Sequence, residues 1–216
     1  MNITNEMKKE LISILKMKKL FGISYIDKIE QKSKKMLFNE LPNVAKDLEE
    51  YVINCNLCEL SKSKELTLLG KGDVNSKIYI VGIDYNFHNE KEFVMIKNMC
   101  EKVLELNIND IYMTNIIKCI STKKKLDLDV EIKTCLPYLE HNIAISTPKI
   151  ILTLGSAFKY LMKNDDDIMD ITANKFYYNG ILLLPLLDPL FISRNPSYKE
   201  KMFNDLKKIK KIMDDK

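Results

Sequence analysis

Two sets of residues in this chain carry chemistry. Cys55-Asn56-Leu57-Cys58 is a two-residue-spaced thiol pair, Cys119 follows much later, and Cys135 comes sixteen positions after that. Thiolates at such positions can converge on one inorganic centre. Two tight knuckles would favour zinc, but the second half of this set is split across a long interval. Sulfurs gathered from separate elements suit an iron–sulfur cube better. Spacing alone leaves three readings open: a cube, a zinc ion, or unrelated buried thiols. Cys100, the fifth cysteine, sits in an apolar helical stretch and reads as a packed thiol.

The second set is Asp84, Asn115 and Asp188. Carboxylates can place and activate a water, and a side-chain amide can donate and accept on one planar edge. What must position them is an alternation of strands and helices. The apolar runs at 77–82, 111–117, 149–155 and 181–186 read as four buried strands. Helices are expected over 92–106, over 130–146 despite Pro137, and over 156–162. Pro185 is expected to end the fourth ladder. The last helix should be capped by Asn195, with Pro196 in its first turn and Met202, Leu206, Ile209 and Met213 on one stripe.

This pattern predicts an α/β fold, a three-layer α/β/α sandwich around a mostly parallel four-stranded sheet. Sites in such folds lie beyond the carboxyl ends of the strands. Asp84, Asn115 and Asp188 would therefore share one rim. Residues 1–50 read as an N-terminal helical extension, with 51–216 as the main domain.

Composition narrows the class. With 46% hydrophobic and 30% charged residues the chain can build a core, which excludes a disordered or disulfide-stapled protein. No apolar run approaches the roughly 20 residues of a membrane helix. The polar stretch Met1–Lys9 leads us to expect no export signal, hence a cytoplasmic protein with reduced thiols. Of 34 basic residues only Arg194 is an arginine, against a net charge of +4. Contacts to phosphate would lean on lysine point charges and backbone N–H groups.

In order along the chain, several segments resemble the family-four uracil-DNA glycosylases, the iron–sulfur branch of that superfamily. They are Cys55-Asn56-Leu57-Cys58-Glu59-Leu60, Gly70-Lys71-Gly72-Asp73, Thr114-Asn115-Ile116-Ile117-Lys118-Cys119, Cys135-Leu136-Pro137-Tyr138-Leu139, Pro148 to Gly155, and Arg194-Asn195-Pro196. The resemblance covers about 51–211. It implies a 4Fe-4S cluster held by Cys55, Cys58, Cys119 and Cys135, with zinc as the alternative. It also implies a monomer that extrudes uracil, or another damaged base, from DNA and hydrolyses its N-glycosidic bond. Asn115 would read the base edge, Gly82 would border the base, and Phe93, or failing it Phe87, would stack on it.

Two departures bear on that expectation. The family's first motif, Gly-Glu-Ala-Pro-Gly, is here Gly82-Ile83-Asp84-Tyr85-Asn86. Ile83 cannot hold a water; Asp84, placed as in the Gly-Gln-Asp-Pro-Tyr motif of the family-one enzymes, could. The family's His-Pro-Ser motif is here Asp188-Pro189-Leu190, so the donor to the leaving base is replaced by a carboxyl with an altered role. An ionised Asp188 about 4 Å from the developing anion would cost roughly 4 kcal/mol at an effective dielectric near 20, about a thousandfold in rate. Only a protonated Asp188 could donate there. His88 lies in the first-motif loop and His141 on the cluster-side helix. The alternative expectation is a catalytically impaired relative that acts as a nucleic-acid-binding or interaction module.

Overall fold

Runs that are apolar on both faces belong in a parallel sheet covered by helices on each side. The computed structural model of the protein describes residues 41–42, 44–121 and 128–215. In chain order these form α1 (Ala45–Ile53), α2 (Glu59–Lys62), β1 (Leu66–Thr67), β2 (Ile78–Gly82), α3 (Glu90–Met99), β3 (Ile111–Asn115), β4 (Cys119–Ile120) and α4 (Leu128–Ser146). There follow β5 (Ile150–Leu154), α5 (Ala157–Met162), α6 (Ile168–Ile171), β6 (Phe176–Tyr178), β7 (Ile181–Leu186), α7 (Pro189–Arg194) and α8 (Lys199–Asp214). Of the helical extension expected over 1–50, only 41–42 and 44–50 are among the described residues, and there the chain enters α1; the rest lies outside them.

The main sheet runs β3-β2-β5-β7-β6, parallel except for the antiparallel edge strand β6. The four expected strands are the parallel ones. The fifth, Phe176–Tyr178, is too short to show an alternating pattern and pairs with β7 through a two-residue turn at Asn179-Gly180.

Side chains alternate across each strand and so divide the core in two. Ile80, Met113, Leu152 and Leu184 pack with Ile96 of α3 and with Met202, Leu206 and Ile209 of α8. Tyr79, Val81, Tyr112, Ile151 and Leu183 face the other way, onto Ile132, Leu139 and Ile143 of α4 and Phe158 of α5. Both faces are thus dry. Burying each large aliphatic side chain contributes about 1.5–3 kcal/mol.

Two local expectations are corrected. β7 continues through Pro185 to Leu186, pairing Pro185 with Thr153. The Pro185 carbonyl accepts from the Ala173 N–H (2.9 Å), so the proline nitrogen also points away from β5 and no ladder bond is lost. Asn195 does not cap α8. Its side chain donates back to the Phe191 carbonyl (2.9 Å), closing α7, and a 3-10 turn at Pro196–Tyr198 leads into α8.

Candidate functional site

The carboxyl ends of the parallel strands bring the second residue set together. β3 ends on Asn115, the chain leaving β2 carries Asp84 and Tyr85, and the chain leaving β7 carries Asp188. Two glycines make room for these side chains. A Cβ on Gly82 would lie 2.4 Å from the Tyr85 ring and 3.0 Å from Asn115 Oδ1. Gly155, at the end of β5 with φ +55°, would place a Cβ 2.9 Å from that of Asp188.

Asn115 is fully buried. Its Oδ1 accepts from the Tyr85 N–H (2.9 Å), and its Nδ2 donates to the Tyr85 carbonyl (2.7 Å). The amide therefore braces the loop after β2, keeping one further N–H and one further lone pair for another partner. Asp188 is the N-cap of α7: its Oδ1 accepts from the Leu190 N–H (2.7 Å) and the Phe191 N–H (3.3 Å). The same oxygen accepts from the Tyr85 hydroxyl. Asp188 Oδ1 thus acts as an acceptor.

Asp84 is exposed at the rim, yet its pKa is raised above the ordinary carboxylate range. Desolvation by the protein beneath it is the larger cause, and the Asp188 charge adds to it. A carboxylate so placed is a stronger base than a free one. Ile83 turns inward against the α4 side of the core, and its carbonyl accepts from the Ile117 N–H (2.8 Å).

The two candidate stacking rings differ. Phe87 is buried and lies parallel to Tyr85, ring centroids 5.8 Å apart and planes 8° apart. Phe93 is partly buried on α3, and its face is covered by the Lys71 ammonium at 3.4 Å, which also donates to the Phe87 carbonyl (3.1 Å). His88 is exposed, and His141 Nε2 contacts the Pro42 carbonyl at 3.0 Å. Sequence reading assigns no role to Tyr85, although it joins Asn115, Phe87 and Asp188. Its only advance signal is an aromatic ring placed directly after Asp84 in a loop leaving a strand end.

The thiols occupy a separate region. Cys58 begins α2, where its Sγ accepts from the Ser61 N–H (3.4 Å) and Ser61 Oγ donates to its carbonyl (2.7 Å). Cys119 lies in β4 opposite Thr67, Cys135 lies on α4, and both are buried, whereas Cys55 is half-exposed. Electrostatic contacts join them: Cys119 feels Cys55 and Cys58, and Cys135 feels Cys58 and Cys119. Burial, the largest cause in each case, raises the thiol pKa to about 11 for Cys119 and about 12 for Cys135. Cys58 is also raised, by burial first and by a hydrogen bond with Glu131. Lys118, buried, donates to Thr114 Oγ1 (2.8 Å), and burial lowers its pKa to about 8 against the opposing pull of Cys135, Glu49 and Cys119. Among the described residues, no three His, Cys, Asp or Glu side chains close up tightly enough to hold one ion.

Comparison with known proteins gives the family. The sequence model of the uracil DNA glycosylase superfamily matches residues 69–207. The chain belongs to the uracil DNA glycosylase superfamily. Among its relatives in that superfamily, a type-4 uracil-DNA glycosylase of Sulfurisphaera tokodaii is 29% identical over 76% of this chain and 83% of its own length. The type-4 uracil-DNA glycosylase of Saccharolobus solfataricus is 28% identical over 78% of this chain and 86% of its own. A DNA polymerase of Bacillus phage SP01 is 23% identical over 68% of this chain but only 17% of its own length. The superfamily match spans β2, β3, β5 and β7, and hence all three polar residues of the rim.

Proposed function

We propose that the protein hydrolyses the N-glycosidic bond of uracil, or of another damaged base, extruded from DNA. The observation that carries this is the convergence of Asp84, Asn115 and Asp188 on one strand-end rim, in a chain of this superfamily with relatives named type-4 uracil-DNA glycosylases. The exposed Asp84 carboxylate accepts a proton from a water whose oxygen attacks the sugar C1′. The electron pair of the breaking C–N bond leaves with the base, which later takes up a proton. Asn115 offers its second N–H and second lone pair to the base edge. Asp188 holds the start of α7 in place and raises the basicity of Asp84. Without the histidine donor, turnover is slow.

Cys55, Cys58, Cys119 and Cys135 fit a 4Fe-4S cluster. Four sulfurs from three segments are linked by their charges, Cys119 to Cys55 and Cys58 and Cys135 to Cys58 and Cys119, but one tetrahedral zinc would need all of them about 2.3 Å from a single centre. A cube with iron at separate corners accepts a wider spread. When bound, such a cluster would brace the α1–α2 and β4 segments and supply no step of hydrolysis. Thiols that hold their protons above neutral pH need a metal to become thiolates. The five unpaired cysteines support a reducing, cytoplasmic setting.

The test is incubation with uracil-containing single- and double-stranded oligonucleotides. Abasic product is expected from the wild type and not from Asp84→Ala. A second reading has its own support: Asp188 accepts three hydrogen bonds where a donor is required. It describes a relative that binds DNA through lysines, with the matching salt dependence, and leaves every base in place.

A further inference from the structure

We propose that Tyr85 is a built-in occupant of the base slot, so that an extruded pyrimidine enters only by displacing the tyrosine ring. This rests on the reading of the rim as a base-binding site and names what controls entry to it. A flat base at the rim would need an aromatic face to lie against, a glycine floor, and the space between Asn115 and Asp188. The Tyr85 ring has all three. It lies parallel to Phe87 at 5.8 Å and 8°. It rests on Gly82 so closely that a Cβ there would stand 2.4 Å from it. Its backbone is gripped by Asn115 at one end, and its hydroxyl reaches Asp188 at the other.

The match is one of shape and polarity. A phenol and a pyrimidine are both planar six-membered rings with a polar edge, and only 4% of Tyr85 is exposed. The segment around it is pinned on both sides. Ile117 holds the Ile83 carbonyl at 2.8 Å, and Glu92 accepts from the Asn86 N–H at 2.9 Å. Displacement therefore falls to rotation of the Tyr85 side chain, which uncovers the Phe87 face and frees the Asp188 oxygen. Asn115 need not let go of the Tyr85 backbone, because its remaining N–H and lone pair still serve the base. A slot open for a fraction of the time weakens apparent affinity by that fraction.

The experiment compares two duplexes, one with 2′-fluoro-deoxyuridine, which resists cleavage, and one with a tetrahydrofuran abasic analogue. Dissociation constants are measured for the wild type, Tyr85→Ala and Tyr85→Phe. Removing the ring should tighten binding to the uracil duplex about tenfold, if the native slot is open roughly a tenth of the time. Binding to the abasic duplex, which has no base to seat, should stay the same. Tyr85→Phe keeps the ring and loses the link to Asp188, so a smaller gain on the uracil duplex alone is expected. That variant carries the test if Tyr85→Ala does not fold. Equal changes on both duplexes, or none in a folded variant, overturn the proposal. If neither damaged duplex is bound more tightly than undamaged DNA by wild type or variants, the base-site reading itself fails and the proposal with it.

Discussion

The thiol region and the strand-end rim are built by opposite means. Around the thiols, residue identity carries the whole design: sulfur at four places on three separate segments, with burial that raises the pKa of Cys119 and Cys135. At the rim, position carries it. The strands deliver whatever follows them to one edge, and Ile83 and Asp188 stand where the resemblance implies glutamate and histidine. A cluster site of the kind proposed for the thiols would fail if one ligand changed, so its pattern would be rigid. A strand-end rim keeps its geometry when side chains change, so its chemistry can be altered or lost without loss of the fold.

The sharpest break between the two regions comes from substituting one member of each. Cys135→Ser should abolish bound iron and the visible absorbance of the purified protein. It should also lower the melting temperature by about 10 °C or more, since several kcal/mol at 2–4 °C each are at stake. Iron content unchanged by that substitution would remove Cys135 from the ligand set. Asp84→Ala should leave iron content and melting temperature alone while cutting single-turnover excision by about 10²- to 10⁴-fold, the range for a general base.

Asp188→His tests the rim's departure from its family. Restoring a donor to the leaving base should raise excision by up to about a hundredfold. Loss of the α7 cap should lower stability by about 1 kcal/mol, read as a shift in the denaturation midpoint. Gly155→Ala should cost about 1–3 kcal/mol, through the left-handed backbone at φ +55° and the crowding of Asp188.

The smallest effect is a shift in pH dependence. Asp84 is raised by burial and by the Asp188 charge, so the acid limb of kcat/KM should lie above the ordinary aspartate range near 3.9. Asp188→Asn removes the repelling charge, Asp84 then releases its proton more readily, and the limb should move to lower pH. An unmoved limb would separate the two carboxyls.

The sheet was legible because strands dry on both faces must be apolar throughout, as Ile78–Gly82 and Ile150–Leu154 are. Phe176–Tyr178 was not, because an edge strand of three residues carries no period. The placement of Asp84, Asn115 and Asp188 at one edge also followed from the alternation of elements. The partners of these residues did not. That Asn115 holds the Tyr85 backbone, and that Asp188 caps α7 while accepting from Tyr85, depends on side-chain directions that only the folded chain fixes. Asn195 shows the same limit: its type suits a cap, yet its amide turns back to Phe191.

The most direct measurement is single-turnover release of uracil from a duplex by the wild type and by Asp84→Ala, prepared with equal iron content. Abasic sites should accumulate with the wild type and be at least about a hundredfold slower with the variant. Equal rates, or no abasic sites with either protein, would contradict a hydrolytic rim.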